Sequence, residues 1–283
     1  MRRLTAIISL FLVSVVWGAT FPLVKASLDY ISPLGFIALR FLLGFGILAI
    51  FLFKDLKNGK DALIPGLILS VFLFLGYFFQ TVGLKYTTSS HSGFITGLYV
   101  VFTPLFAVLM LKEKITLKVS SAVILSLIGL YLLSNISGGI NFGDFLTLLC
   151  AIAYAIQVVL VAKYSRMYNP NTLTIIELAF VFLFSMGGWG IEGFSISWNL
   201  LMIFGVVFTG IFATGLAILV QTHAQRVLPS SHAAIIYTTE PVFAGLFSYI
   251  FLGEGLGTKG MIGAALILLG MLLVALDKSR QVP

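Results

Sequence analysis

Charge is what this 283-residue sequence has least of: only 10% of its residues are Asp, Glu, Lys or Arg, against roughly 25% in an ordinary soluble domain. A water-facing surface cannot be built from so few. Cysteine occurs once, at Cys150, which excludes an intrachain disulfide and a cysteine-rich metal site and leaves a small packing residue. The glycine-rich phosphate loop ending in Gly-Lys-Ser/Thr is missing, as is a His-Glu-x-x-His helix, so neither a nucleotide-driven pump nor a zinc hydrolase is indicated. No clustered acid, base and nucleophile is found either, and the sequence calls for no enzyme activity, metal or cofactor. The net charge of +7 is scattered between apolar runs and forms no contiguous basic face on a soluble module, which argues against a nucleic-acid partner.

What is present is apolar: 59% of the residues are hydrophobic, and 26 are phenylalanine. A bilayer core is crossed by about 20 apolar residues in a helix, and backbone polar groups without water must bond within that helix. Apolar segments run over 4–24, 33–53, 63–83, 91–111 and 116–133, then over 143–162, 172–190, 199–220, 231–252 and 258–276. The expected fold is therefore an all-α membrane protein with ten transmembrane helices and short loops.

Lysine and arginine orient these segments, because positive loops stay in the cytoplasm. With the N-terminus inside, the inner ends carry Arg2, Arg3, Lys54, Lys57, Lys60, Lys112, Lys114, Lys118, Lys163, Arg166, Arg226, Lys278 and Arg280. The outer loops carry Lys25, Lys85 and Lys259. The expectation is a multi-pass protein of the cell membrane, in contact with membrane lipid, with both termini cytoplasmic.

The chain also repeats itself. A shift of 141 lays Lys85–Leu133 over Arg226–Val274 without a gap, matching Ser89-Ser90-His91 to Ser230-Ser231-His232, Val101-Phe102 to Val242-Phe243, Glu113 to Glu254 and Gly129 to Gly270. A shift of 137 lays Trp17 over Tyr154, Ser32-Pro33 over Asn169-Pro170 and Arg40 over Glu177. The first apolar run thus has a partner inside the chain and reads as a retained helix, not a cleaved signal. Two halves follow, 1–138 and 139–283, each of five helices. Five is odd, so the second half enters the membrane from the opposite side, giving the inverted repeat that carriers use to expose a midplane site to either face.

The ordered motifs within these halves resemble the EamA family of the drug/metabolite transporter superfamily. They are Trp17-Gly18 with Phe21, Pro33 followed by Arg40, and Gly93-Phe94 through to Glu113; then Glu240-Pro241-Val242-Phe243-Ala244, Leu252-Gly253-Glu254, Gly263-Ala264-Ala265-Leu266 and Gly270. The resemblance covers nearly the whole chain. It implies ten helices, cytoplasmic termini, and export or exchange of amino acids, sugar phosphates or other metabolites without ATP hydrolysis. The two halves depart from one another where Tyr154 replaces Trp17 and where Tyr99-Val100 replaces Glu240-Pro241.

Three ionisable residues lie deep in apolar segments: Arg40, Glu177 and Glu240. Each costs about 2.5–3.5 kcal/mol to insert at the bilayer centre, so such residues face the bundle interior. Arg40 is expected to hold a substrate carboxylate or phosphate with its planar fork, and Glu240 an amine or a coupling proton. The same cost admits a second reading, a structural ion pair of Arg40 with Glu240 or Glu177. Neutral polar residues recur at three- or four-residue spacing, hence on single helix faces: Trp17 and Thr20, Tyr77 and Gln80, Thr96 with Tyr99 and Thr103, Tyr154 and Gln157, Tyr237 with Glu240. Together they are expected to line one cavity, with the fifth and tenth helices at the lipid-facing periphery. Ser89-Ser90 and Ser230-Ser231 supply capping oxygens at helix starts beside His91 and His232. His223, with Gln221 and Gln225, reads as the solvated inner end of the eighth segment, and Glu113 as a loop anchor.

The expected function is a secondary transporter of small metabolites such as amino acids, driven by a proton or a counter-substrate. The competing readings are a channel and a non-transporting scaffold. A homodimer is compatible with the sequence.

Overall fold

The computed structural model describes residues 1–57, 59–133, 141–252 and 257–276, and among these the only β pairing is an isolated antiparallel bridge between Ile31 and Ile196. Gly253, Glu254, Lys278 and Arg280 lie outside the described residues. The helices are α1 (Arg3–Gly18), α2 (Thr20–Ser27), α3 (Pro33–Phe51), α4 (Phe53–Lys57), α5 (Leu63–Gly83), α6 (Ser89–Gly97), α7 (Tyr99–Leu111) and α8 (Leu117–Leu133), then α9 (Phe142–Met167), α10 (Pro170–Ile191), α11 (Leu200–Phe208), α12 (Ala217–Gln225), α13 (Ser230–Tyr237), α14 (Glu240–Leu252) and α15 (Gly257–Ala275). A π-helical stretch, Thr209–Leu216, joins α11 to α12 without a break.

Eight of the described helical stretches are long and apolar enough to span a membrane, and Leu117–Leu132 forms a shorter apolar helix. The chain is a multi-pass, all-helical membrane protein. Its exposed side chains are what lipid requires: Ile50, Phe51, Leu109, Leu117, Leu200 and Leu276 face outward, where an apolar surface needs no polar cover.

Starts and stops follow local chemistry. Pro33 and Pro170 stand at first helical positions, where a missing N–H costs nothing, and Ser32 and Asn169 accept the amides that follow. Asn141 and Asp144 form a reciprocal capping box at α9. The expected serine caps are corrected: α6 is capped by the Thr88 hydroxyl, which accepts from the His91 amide. At α13 the preceding residue is Pro229 and offers no side-chain oxygen. There Glu113, from the loop after α7, accepts from the Ser230 amide and hydroxyl at 3.3 and 3.1 Å and from the Ser231 hydroxyl at 3.2 Å. His232 is buried.

The eighth segment also extends further than its sequence suggests. Helix continues to Gln225, and both Gln221 and Gln225 are buried, their amides bonded to one another, to Gln157 and to the Val158 carbonyl. His223 is half-buried, its Nε2 2.7 Å from the Asn171 side-chain Oδ1. Among the described spans the most enclosed is Phe142–Met167, 67% of whose 18-residue apolar stretch is buried, against 28% for Gly257–Ala275. The latter packs chiefly on α8, leaving α9 at the centre of the bundle.

Candidate functional site

Three spans are interrupted near their middles, and the interruptions converge. Between α1 and α2 the turn falls on Ala19, between α6 and α7 on Leu98, and between α13 and α14 on Thr238-Thr239. At the latter two, backbone bonds tighten to the third residue back, from Leu98 to Ile95 and from Thr239 to Ile236. The hydroxyls of Thr238 and Thr239 turn back onto Ile235 and Ile236 at 2.6 and 2.8 Å. Hydroxyl groups that bond the preceding turn bend a helix and free its polar groups locally. Trp17, Thr20, Thr96, Tyr99, Tyr237 and Glu240 all sit within two residues of an interruption.

Close approach brings the first and last of these together. A Cβ on Gly18 would lie 2.8 Å from the Glu240 carbonyl oxygen and 2.9 Å from the Ala244 nitrogen, so only glycine lets α1 touch the start of α14. The Trp17 ring packs at a tilt on Tyr237, 5.2 Å between centres, and Tyr237 in turn lies 6.4 Å from Tyr99. The Trp17 indole donates to the Ala213 carbonyl at 2.8 Å. That carbonyl belongs to the π-helical stretch, a geometry that disturbs the regular bonding pattern of a helix and recurs at functional sites.

These groups bound a cavity of about 50 Å³. Trp17, Thr20, Arg40, Tyr77, Gln80, Thr96, Tyr99, Tyr154, Gln157, Tyr237 and Glu240 all line it. Leu73, Val158 and Gln221 complete the wall. The first two carry no polar signal by which a sequence reading could single them out, and Gln221 falls where the sequence reads as a solvated helix end. Thr103, although on the expected stripe, is buried away from it.

Glu177 is the correction. It is fully buried but stands behind the wall, where its Oε1 accepts from Gln157 Nε2 at 2.9 Å. The repeat places it on the helix face matching Arg40, but the neighbouring Gln157 is long enough to intervene.

The ion-pair reading is corrected as well. Arg40 is 3% exposed and donates from Nε to the Thr214 hydroxyl at 2.9 Å. Its guanidinium lies 4.6 Å from the centre of the Tyr77 ring, with Phe36 and Phe41 at 5.9 and 6.0 Å. Aromatic faces stabilise a desolvated cation, and the Arg40 charge is held this way instead of by a carboxylate: it pairs with neither Glu177 nor Glu240. Glu240, 7% exposed, has no hydrogen-bond partner among the described residues. The hydroxyls of Tyr99 and Tyr237 are buried and likewise unpartnered there. Also in the cavity wall, Gln80 donates to Thr96 at 3.2 Å, and the Thr96 hydroxyl lies 4.0 Å from the Cys150 sulfur. The site thus offers one cation, one carboxyl and several neutral donors and acceptors between aromatic faces. That combination can hold a small molecule bearing opposite charges on an apolar body.

Comparison with known proteins agrees with this architecture. The model of the EamA-like transporter family matches residues 4–135 and again 141–276. A protein of Archaeoglobus fulgidus named "Uncharacterized transporter" is 38% identical over 275 residues, covering 97% of this chain and 87% of that protein. The "Uncharacterized transporter YoaV" of Bacillus subtilis is 25% identical, covering 95% and 96%. A solved crystal structure superposes with a TM-score of 0.81 at 20% identity, over 99% of this chain and all of the other, a likeness of fold alone. The chain belongs to the EamA-like transporter family.

Proposed function

We propose that this protein is a secondary transporter of small zwitterionic or polar metabolites, amino acids among them, working by alternating access without ATP hydrolysis. The observation that carries the reading is the pairing of Arg40 and Glu240 in one cavity with neither neutralising the other. A charged group inside a membrane is costly, and two that leave each other unpaired are accounted for by a ligand of complementary charges. Arg40 takes the carboxylate or phosphate, Glu240 takes the amine or a coupling proton, and the aromatic walls take the body of the molecule.

Ten spans in two inverted five-helix halves, 1–138 and 139–283, suit this mechanism, since interrupted helices at a repeat interface form midplane sites. The two separately matched segments and the interrupted helices on both sides of the cavity support that division. The lysine and arginine distribution supports cytoplasmic termini in a cell membrane.

The test is uptake by purified protein in proteoliposomes across labelled amino acids, amines and phosphorylated metabolites. Saturation with counterflow is expected, and Arg40→Ala should abolish it while the folded yield persists. Linear, non-saturating flux would establish a channel. Flux unchanged by both Arg40→Ala and Glu240→Gln would remove the site.

A further inference from the structure

Glu177 has no place in the cavity and makes no ion pair, yet it ends a chain of three buried amides. Gln157 donates to its Oε1 at 2.9 Å, Gln221 Nε2 donates to Gln157 Oε1 at 3.0 Å and to Gln225 Oε1 at 3.1 Å, and Gln225 donates to the Val158 carbonyl at 2.8 Å. Each amide has one accepting end and one donating end, so the order of bonds follows from the termini. The Val158 carbonyl can only accept, which turns the Gln225 oxygen toward Gln221. The Glu177 oxygen that Gln157 meets, Oε1, accepts its N–H, which turns the Gln157 oxygen toward the same atom. Gln221 therefore meets two acceptors and must present its NH2 group to both. Its own carbonyl oxygen is left over, without a hydrogen-bond partner among the described residues, on a side chain that lines the cavity.

We infer that Glu177 is a positioning residue that fixes the hydrogen-bond polarity of the cavity wall, holding Gln221 with its carbonyl oxygen available to a substrate N–H or O–H. This rests on the cavity being a substrate site. A substrate carboxylate or phosphate is turned away from this wall and directed to Arg40. If position 177 donated instead, Gln157 would turn over and Gln221 would face a donor on one side and an acceptor on the other. No orientation of its amide satisfies both.

The inference is tested without substrate, by thermal unfolding of the purified full chain carrying Glu177→Gln, Glu177→Leu, Gln221→Glu and the two double substitutions. Gln221→Glu sets a carboxylate against two fixed acceptors and should lower Tm by about 4 °C or more. Glu177→Gln supplies a donor, lets Gln157 turn over and deliver its N–H to the new carboxylate, and should restore part of that loss. Glu177→Leu removes the carboxyl and supplies no donor, and should restore none. If Gln221→Glu does not fold alone, its recovery as folded protein with Glu177→Gln but not with Glu177→Leu supports the inference equally. Equal rescue by both substitutions would reduce the effect to charge repulsion and overturn the inference, as would rescue by neither. Because no transported compound enters the measurement, its outcome stands apart from the uptake assay that tests the cavity itself.

Discussion

Arg40 and Thr214 are 174 residues apart in sequence and 2.9 Å apart in space, the guanidinium Nε donating to the hydroxyl oxygen. Thr214 lies in the π-helical stretch Thr209–Leu216, so a helix irregularity in one half aims the cation of the other. Thr214→Val keeps the shape and removes the acceptor. A buried, charged donor then goes unpaired, costing about 1–3 kcal/mol of stability. Transport should fall further than stability, because the guanidinium is free to turn on its aromatic neighbours. Thr214→Ser should behave as wild type in both uptake and thermal unfolding.

Trp17→Phe isolates a different contact. The tilted ring contact with Tyr237 can survive, but the N–H that reaches the Ala213 carbonyl is lost. A loss of about 1 kcal/mol is expected, read as a lower midpoint in thermal unfolding, with weaker substrate retention measured as a raised KM.

Three glycine-to-alanine substitutions should rank by what a Cβ meets. At Gly129 it would lie 2.6 Å from the Gly263 carbonyl oxygen, at Gly18 2.8 Å from that of Glu240, and at Gly46 it meets nothing within 4 Å. Overpacking costs about 1–3 kcal/mol, so Gly18→Ala and Gly129→Ala should both unfold at lower temperature than wild type, and Gly46→Ala should not. Uptake separates the first two. Gly18→Ala displaces the helix that carries Glu240, whereas Gly129→Ala strains only the contact of α8 with α15, away from the cavity.

Glu113→Ala should cost about 1 kcal/mol, the worth of a helix cap, because Pro229 leaves α13 no oxygen of its own. Backbone amides at 230–233 should then exchange with solvent faster, as monitored by mass spectrometry. Thr88→Ala should produce the corresponding local change at α6.

Much of the cavity is legible in the sequence because polar side chains in apolar helices have few other reasons to recur on one face. Tyr77 with Gln80 and Tyr154 with Gln157 stand out by spacing alone. Gln221 escapes because a run of Gln, Thr, His and Gln at the end of an apolar segment has the composition of a solvated helix end. Only the amide chain from Glu177 to Val158 makes it a buried one. Glu177 itself is assigned by the repeat to the right face at the wrong depth, since a repeat match carries the angular position of a residue but not the length of its neighbour's side chain. The Ala213 carbonyl and the turns at Ala19 and Leu98 are backbone features, and no residue type announces them.

The π-helical stretch has one further consequence. A helix bonded five residues on accommodates more residues per turn than one bonded four on, so its register can be reset by removing one residue without cutting the rod. Such a deletion within 209–216 would draw the stretch back to α geometry and, because the wider turns carry the extra residue without turning the helix beyond them, would leave Gln221 and Gln225 facing α9. What would move is the stretch itself, with the Ala213 carbonyl that meets Trp17 and the Thr214 hydroxyl that meets Arg40. A single lost codon there would leave a protein that still inserts into the membrane and keeps its amide chain but no longer aims its buried cation.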